Sequence, residues 1–226
     1  MTATGADRLV FADPGEAAGL AAFLERLVRW EKTAAVRVQA GGGVAGVFAK
    51  PARFEVLAVR TGRLLEPVDL DVTVAAGALL ELVEEERESV GVPQAVTGPS
   101  WAGVLPPRGG WHEFARVPVD AVGSVAAAAV GEFRERAEKL PAQRRGREAL
   151  DALAEEIWSR PLGRTQLPLR AAHAAHALGF LRGTDPVTLL EAGAWLRLRT
   201  LYGSVAVRRR GGAGAGAGAG LSVTPV

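Results

Sequence analysis

Residues 192–209 read AGAWLRLRTLYGSVAVRR. Leu196, Leu198, Val205 and Val207 alternate with Arg197, Arg199 and Arg208 across a Leu201-Tyr202-Gly203 turn, the period-two pattern of a half-buried β-hairpin. Packing the aliphatic set inward sends the guanidinium groups together to the opposite face, as a cationic strip continued by Arg209 and Arg210. Upstream, residues 119–139, 144–159 and 169–181 carry helical spacing closed by Pro or Gly. Thr184-Asp185-Pro186 then offers the opening of a further short helix before Gly193. Helix, helix, short helix, hairpin is the order of a winged helix-turn-helix, with residues 187–192 in the place of the recognition helix.

The N-terminal part follows a different period. Leu20, Phe23, Leu24, Leu27 and Trp30 form one helical stripe after Asp13-Pro14, which reads as a cap and first turn. Four short β-branched runs follow, at residues 34–39, 44–49, 54–60 and 68–74, separated by GGG, KPAR and a turn at Gly62. A second helix is expected over 75–88. Its end is crowded by Glu84, Glu85, Glu86 and Glu88, which oppose the helix dipole and call for a basic neighbour. The fold class is therefore α+β: an N-terminal antiparallel meander with two helices, and a C-terminal helical part ending in a winged-helix-like β-hairpin. The expected organisation is an α+β domain at 1–90, a Pro/Gly-rich connecting segment at 91–118, a helical winged-helix-like domain at 119–210 and a Gly/Ala tail at 211–226.

Composition narrows the chemistry. The 226-residue chain has no cysteine, which removes disulfides, thiolate catalysis and Cys-based metal sites. Arginine outnumbers lysine 24 to 3 and isoleucine occurs once, at Ile157, a bias that points to GC-rich coding rather than to phosphate chemistry. Residues 141–226 hold 12 arginines against 6 acids, whereas residues 1–140 hold 15 Lys and Arg against 19 acids. That asymmetry suggests two domains, or one face that recognises an acidic partner. No signal peptide and no 18-residue apolar run is recognisable, so cytoplasmic residence without membrane contact is the expectation.

The motifs with known chemistry mostly have plainer readings. Gly41-x-Gly43-x-x-Gly46 matches a dinucleotide-binding pattern, but Val47-Phe48-Ala49-Lys50-Pro51 reads as a strand where the phosphate-binding helix should open, so a hairpin turn is expected. His173 and His176 share a helix face among alanines that supply no further ligand, so no metal and no cofactor is expected. Catalytic residues are not assignable: Ser100, His112 and Asp120 can be written as a triad, yet the strained strand–turn–helix around the serine is missing.

The segments SWAGVLPPRGGW, from Ser100 to Trp111, and AGAWLRLRTLYGSVAVRR are similar to segments of uncharacterised proteins from GC-rich actinobacteria. The resemblance implies a source and no activity.

Two functions compete. The first is a non-catalytic binding protein whose Arg197, Arg199, Arg208, Arg209 and Arg210 meet a protein partner or, without sequence specificity, nucleic acid. Val187 to Ala192 offers few groups able to read bases, which speaks against sequence-specific DNA recognition. The second is an enzyme or small-ligand-binding protein with a pocket near Trp101, Arg108, Trp111, His112 and Glu113 on the proline-rich loop. Homodimerisation through the alanine-rich helices is compatible with either.

Overall fold

The C-terminal hairpin forms as its alternation requires. In the computed structural model, which describes residues 8–141 and 146–209, β10 (Trp195–Thr200) and β11 (Gly203–Arg208) pair antiparallel and bury Leu196, Leu198, Val205 and Val207. The preceding elements are β1 (Arg8–Val10), α1 (Glu16–Trp30), β2 (Ala35–Gly41), β3 (Val44–Ala49), β4 (Leu57–Arg63), β5 (Leu70–Ala75), α2 (Ala76–Glu81), β6 (Val83–Glu84) and β7 (Ser89–Gly91). Then come β8 (His112–Val117), α3 (Val119–Lys139), α4 (Arg147–Trp158), α5 (Leu169–Ala177) and β9 (Val187–Ala192). Three strands of the expected meander, β2, β3 and β4, pair in sequence, whereas the fourth, β5, crosses back to pair with β2 instead of β4. Gly42 and Gly43, at φ 60° and 77°, make the tight β2–β3 turn that the glycine-rich pattern encodes. Arg210 and the expected tail at 211–226 lie outside the described residues.

The winged-helix expectation is corrected at residues 187–192. This run is strand β9, paired with β10 on one side and β8 on the other. Over six residues VTLLEA fits either period, and long-range partners decide: Leu189 stands opposite Leu198, and Gly193, at φ 53°, closes a β9–β10 hairpin. Three antiparallel strands replace the recognition helix and wing. They do not stand apart, because β11 pairs with β4, and one eight-stranded sheet runs β5-β2-β3-β4-β11-β10-β9-β8. Both halves of the sequence thus feed one sheet and one buried cluster, in which Phe23 of α1 meets Phe180 just after α5 at a ring distance of 5.8 Å.

The acidic segment is corrected too. Helix α2 stops at Glu81, and Glu85–Arg87 form a single 3-10 turn that ends in Glu88 at φ 47°. This tight turn carries Glu88 to the start of α1, where its carboxylate accepts hydrogen bonds from the N–H groups of Gly15 (2.5 Å) and Ala17 (3.0 Å). Glu88, not Asp13, therefore caps α1; Asp13 instead pairs with Arg63 at 2.6 Å. Glu84 finds the basic neighbours it needs in Arg8 and Arg87. Among the described residues, no helix is long and apolar enough to cross a membrane.

Candidate functional site

Where the two half-sheets join, the ladder is short. Only Leu57, Ala58 and Val59 of β4 pair with Ala206, Val205 and Ser204 of β11, whereas β11 stays paired with β10 as far as Arg208. Before Leu57 the chain turns aside: Glu55 takes the left-handed conformation at φ 48°, and Phe54 N–H closes a turn onto Pro51 O at 3.2 Å. Phe54 is thereby buried against Trp30 and His173. The strands part, and a cavity of about 900 Å³ opens between them.

Two loops wall this cavity. The turn at residues 100–103 is fixed by Arg37, which donates to the Ala102 carbonyl while its other guanidinium edge pairs with Asp71 at 2.7 Å; this holds Trp101 and Val104 over the opening. The α4–α5 loop is pinned by Leu162 N–H to Leu167 O (2.7 Å) and Leu169 N–H to Arg160 O (2.8 Å), which presents Gln166 and Pro168. Trp101 and Trp195 supply flat apolar surface, and Lys50, Arg170, Arg208 and Arg209 supply charge.

Those four cations differ in what they already bind. Arg170, buried to 8% exposure, donates to Glu55 and, at 2.8 Å, to Glu155. Arg209 pairs with Glu191. Lys50 and Arg208 have no carboxylate within ion-pair reach among the described residues, and the Arg208 guanidinium lies 5.8 Å from the Trp195 ring centre. Glu55 is the one acid among the described lining residues, and Ser100, Ser159 and Gln166 add neutral polar groups.

The remaining expected site residues fall elsewhere. Of Trp101, Arg108, Trp111, His112 and Glu113, Trp101 alone lines the cavity, while Arg208 and Arg209, expected in a separate contact strip, line it too. Arg108 reaches the neighbourhood of Gly41, where it adds to the lowering of the Asp71 carboxyl that Arg37 dominates. His112 and Glu113 are exposed on β8. Hydrogen bonds from Arg116 hold Glu113 below the usual carboxylate range, with a smaller contribution from Arg199. Trp111 lies 5.4 Å from the Arg197 guanidinium, which donates to Ser204 Oγ at 2.7 and 2.9 Å. Burial, and then Arg199, pushes Arg197 down to about 10. The strip is thus partly roofed. Lys50, Glu55, Gln166, Arg170 and Trp195 escaped the sequence reading, since KPAR registers only as a turn and no pattern marks a left-handed glutamate.

His173 stacks on Trp158 at 4.0 Å and meets Phe54 edge-on at 4.9 Å, away from the cavity. Among the described residues, no group of three or more His, Asp or Glu is placed to hold a metal ion. Burial, aided by His176, pushes the His173 ring down to about 4. Above pH 6.5 the ring is neutral in both folded and unfolded chains. Between 6.5 and 4 the unfolded chain takes up a proton that the folded one refuses, so stability falls as pH drops through this window. After discounting for partial solvent contact, the loss is about 1–2 kcal/mol. Urea unfolding at pH 7 and pH 4.5 checks it: His173→Phe should show a pH dependence weaker by that amount, and an identical dependence would show that the ring titrates alike in the folded and unfolded chains.

Two family models match the chain. One is described as a domain of unknown function (DUF8010) and covers residues 4–103; the other, also a domain of unknown function (DUF8185), covers residues 106–212. No curated protein matches. The boundary falls at the cavity wall, with Lys50, Glu55 and Trp101 in the first match and Arg170, Trp195 and Arg208 in the second.

Proposed function

We propose that this chain is a non-catalytic binding protein whose site is the cavity between the two half-sheets, and whose ligand combines negative charge with an apolar or aromatic body. One observation carries the reading: Lys50 and Arg208, neither with an acid partner among the described residues, share one cavity with Trp101 and Trp195. A volume of about 900 Å³ lies within the range of small-ligand sites. Cations left uncompensated beside apolar walls favour an anion, because a desolvated charge pair there is screened less than one at the surface.

Nucleic acid is less well supported as the ligand. Arg197 is covered by Trp111 and bonded to Ser204, and Arg209 is paired, which among the described residues leaves Arg199 and Arg208 as the exposed cations of the hairpin without a carboxylate partner. Two phosphate contacts give weak binding with a shallow salt dependence. Self-association through alanine-rich helices is narrowed as well. Ala171, Ala172, Ala174 and Ala175 of α5 are all in the core, so α3, with Val125 at 40% exposure, is the helix left to serve it.

The test is a titration with 1-anilinonaphthalene-8-sulfonate, an aromatic anion that fluoresces when desolvated. Saturable one-to-one binding is expected, and Lys50→Gln with Arg208→Gln should weaken it about tenfold, as loss of two partly desolvated charge contacts predicts. Absence of saturable binding, or an unchanged affinity in the double variant, overturns the proposal.

A further inference from the structure

The backbone of β11 says more about the ligand than the side chains do. Arg209 N–H donates to Ala194 O at 2.8 Å, so residue 209 belongs to a hydrogen-bonded pair with the β10 side. In an antiparallel ladder such pairs alternate, which directs the N–H and C=O of residue 208 away from β10. On that other side the register Ala206 opposite Leu57 would next set Arg208 opposite Glu55. Glu55 is not there as a strand residue, because its left-handed backbone has already turned the chain toward Phe54. The N–H and C=O of Arg208 therefore face the cavity, and no described group bonds them.

Resting on the binding role proposed above, we infer that the seam cavity receives an extended acidic peptide segment, which adds to β11 as a short strand through the Arg208 main chain. Strand addition needs one unpaired N–H and C=O on the same edge residue, and the parted ladder supplies them. The side chains fit an extended chain, since alternate residues point to opposite faces. On one face of β11 stand Trp195 and Arg208; on the other stand Leu196, Val207 and Pro168. An acidic residue beside an apolar one matches that division.

The surroundings favour a chain over a compact molecule. A second groove, of about 770 Å³, adjoins the cavity and shares Lys50 and Trp101 with it; Trp30, Val96 and Pro99 line it further on. A small ligand fills one compartment. A segment of about five residues, at ~3.3 Å each, passes from one into the other, with Lys50 at the crossing.

The experiment uses the full chain and a fluorescein-labelled, end-blocked peptide of alternating glutamate and leucine, five residues long. It should bind, displace the anilinonaphthalene sulfonate, and lose about tenfold or more in affinity when the central amide is N-methylated, which removes one strand hydrogen bond. Exchange of the Arg208 amide should slow in the complex. If the dye binds in a Lys50- and Arg208-dependent manner but the peptide fails to displace it, or N-methylation changes nothing, strand addition is wrong and the small-anion site stands. If neither dye nor peptide binds, both proposals fall. Equal binding of the corresponding lysine–leucine peptide refutes the acidic preference.

Discussion

Gly203→Ala is expected to destabilise the protein by about 3–5 kcal/mol, through overpacking of about 1–3 kcal/mol together with a backbone penalty of similar size. Gly203 opens β11 at φ 147°, a region that side chains rarely enter. A Cβ there would stand 2.6 Å from two atoms of the Phe180 ring. The ring cannot swing aside, because Phe180 is 2% exposed and packs on Phe23, which is 1% exposed. Accommodating one methyl group would push the end of α5 from α1, the contact that holds helices of the two sequence halves together. Denaturant unfolding of Gly203→Ala, and of the same change combined with Phe180→Leu, separates the two costs. The double variant should recover part of the loss, since the smaller side chain vacates the clash while the backbone strain persists. A change below about 1 kcal/mol in Gly203→Ala would show that the turn relaxes freely.

That contact also explains which parts of the fold were legible in the sequence. The alternation around Leu196, Leu198, Val205 and Val207 gave the hairpin, because a period of two over two runs joined by a turn has no helical equivalent. The spacing over α3 gave its limits for the same reason, with Pro118 at its start. Residues 187–192 were ambiguous, since six residues satisfy both periods, and the deciding partner, Leu198, belongs to another strand. The pairing of β4 with β11 leaves no local mark at all. Neither does the capping of α1 by Glu88, which acts across 71 positions. The candidate site suffers from the same blindness: Trp101 and Arg208 were each singled out, but only the parting of β4 from β11 at Glu55 brings them into one cavity.

Arg60→Met is expected to cost about 2–3 kcal/mol at pH 7, below the 3–5 kcal/mol of a fully buried pair because Glu16 keeps some solvent contact. Arg60 is 7% exposed on β4 and donates to Glu16 Oε2 at 2.7 Å and to the Leu201 carbonyl at 3.3 Å, so one guanidinium ties α1 to the turn before β11. Gly19 makes the room, since a Cβ there would lie 2.4 Å from Nη2. Burial pushes Arg60 down and Glu16 up, each against the pull of the other, which shows that desolvation outweighs the attraction at this site. Methionine fills the volume but leaves Glu16 charged and without a counterion. Two consequences distinguish this from lost packing. First, adding Glu16→Gln to Arg60→Met should restore stability, because the stranded charge is removed. Second, a carboxyl whose folded pKa is raised contributes stability below its unfolded pKa and loses it as pH rises through the folded value. The Arg60→Met deficit should therefore narrow as pH is lowered, because burial already raises the Glu16 carboxyl and loss of Arg60 removes the pull that opposed it, so Glu16 takes up its proton before an ordinary glutamate does. Urea unfolding of the single and double variants at pH 7 and pH 5 measures both, and a deficit that is additive in the double variant and indifferent to pH would reduce Arg60 to a packing residue.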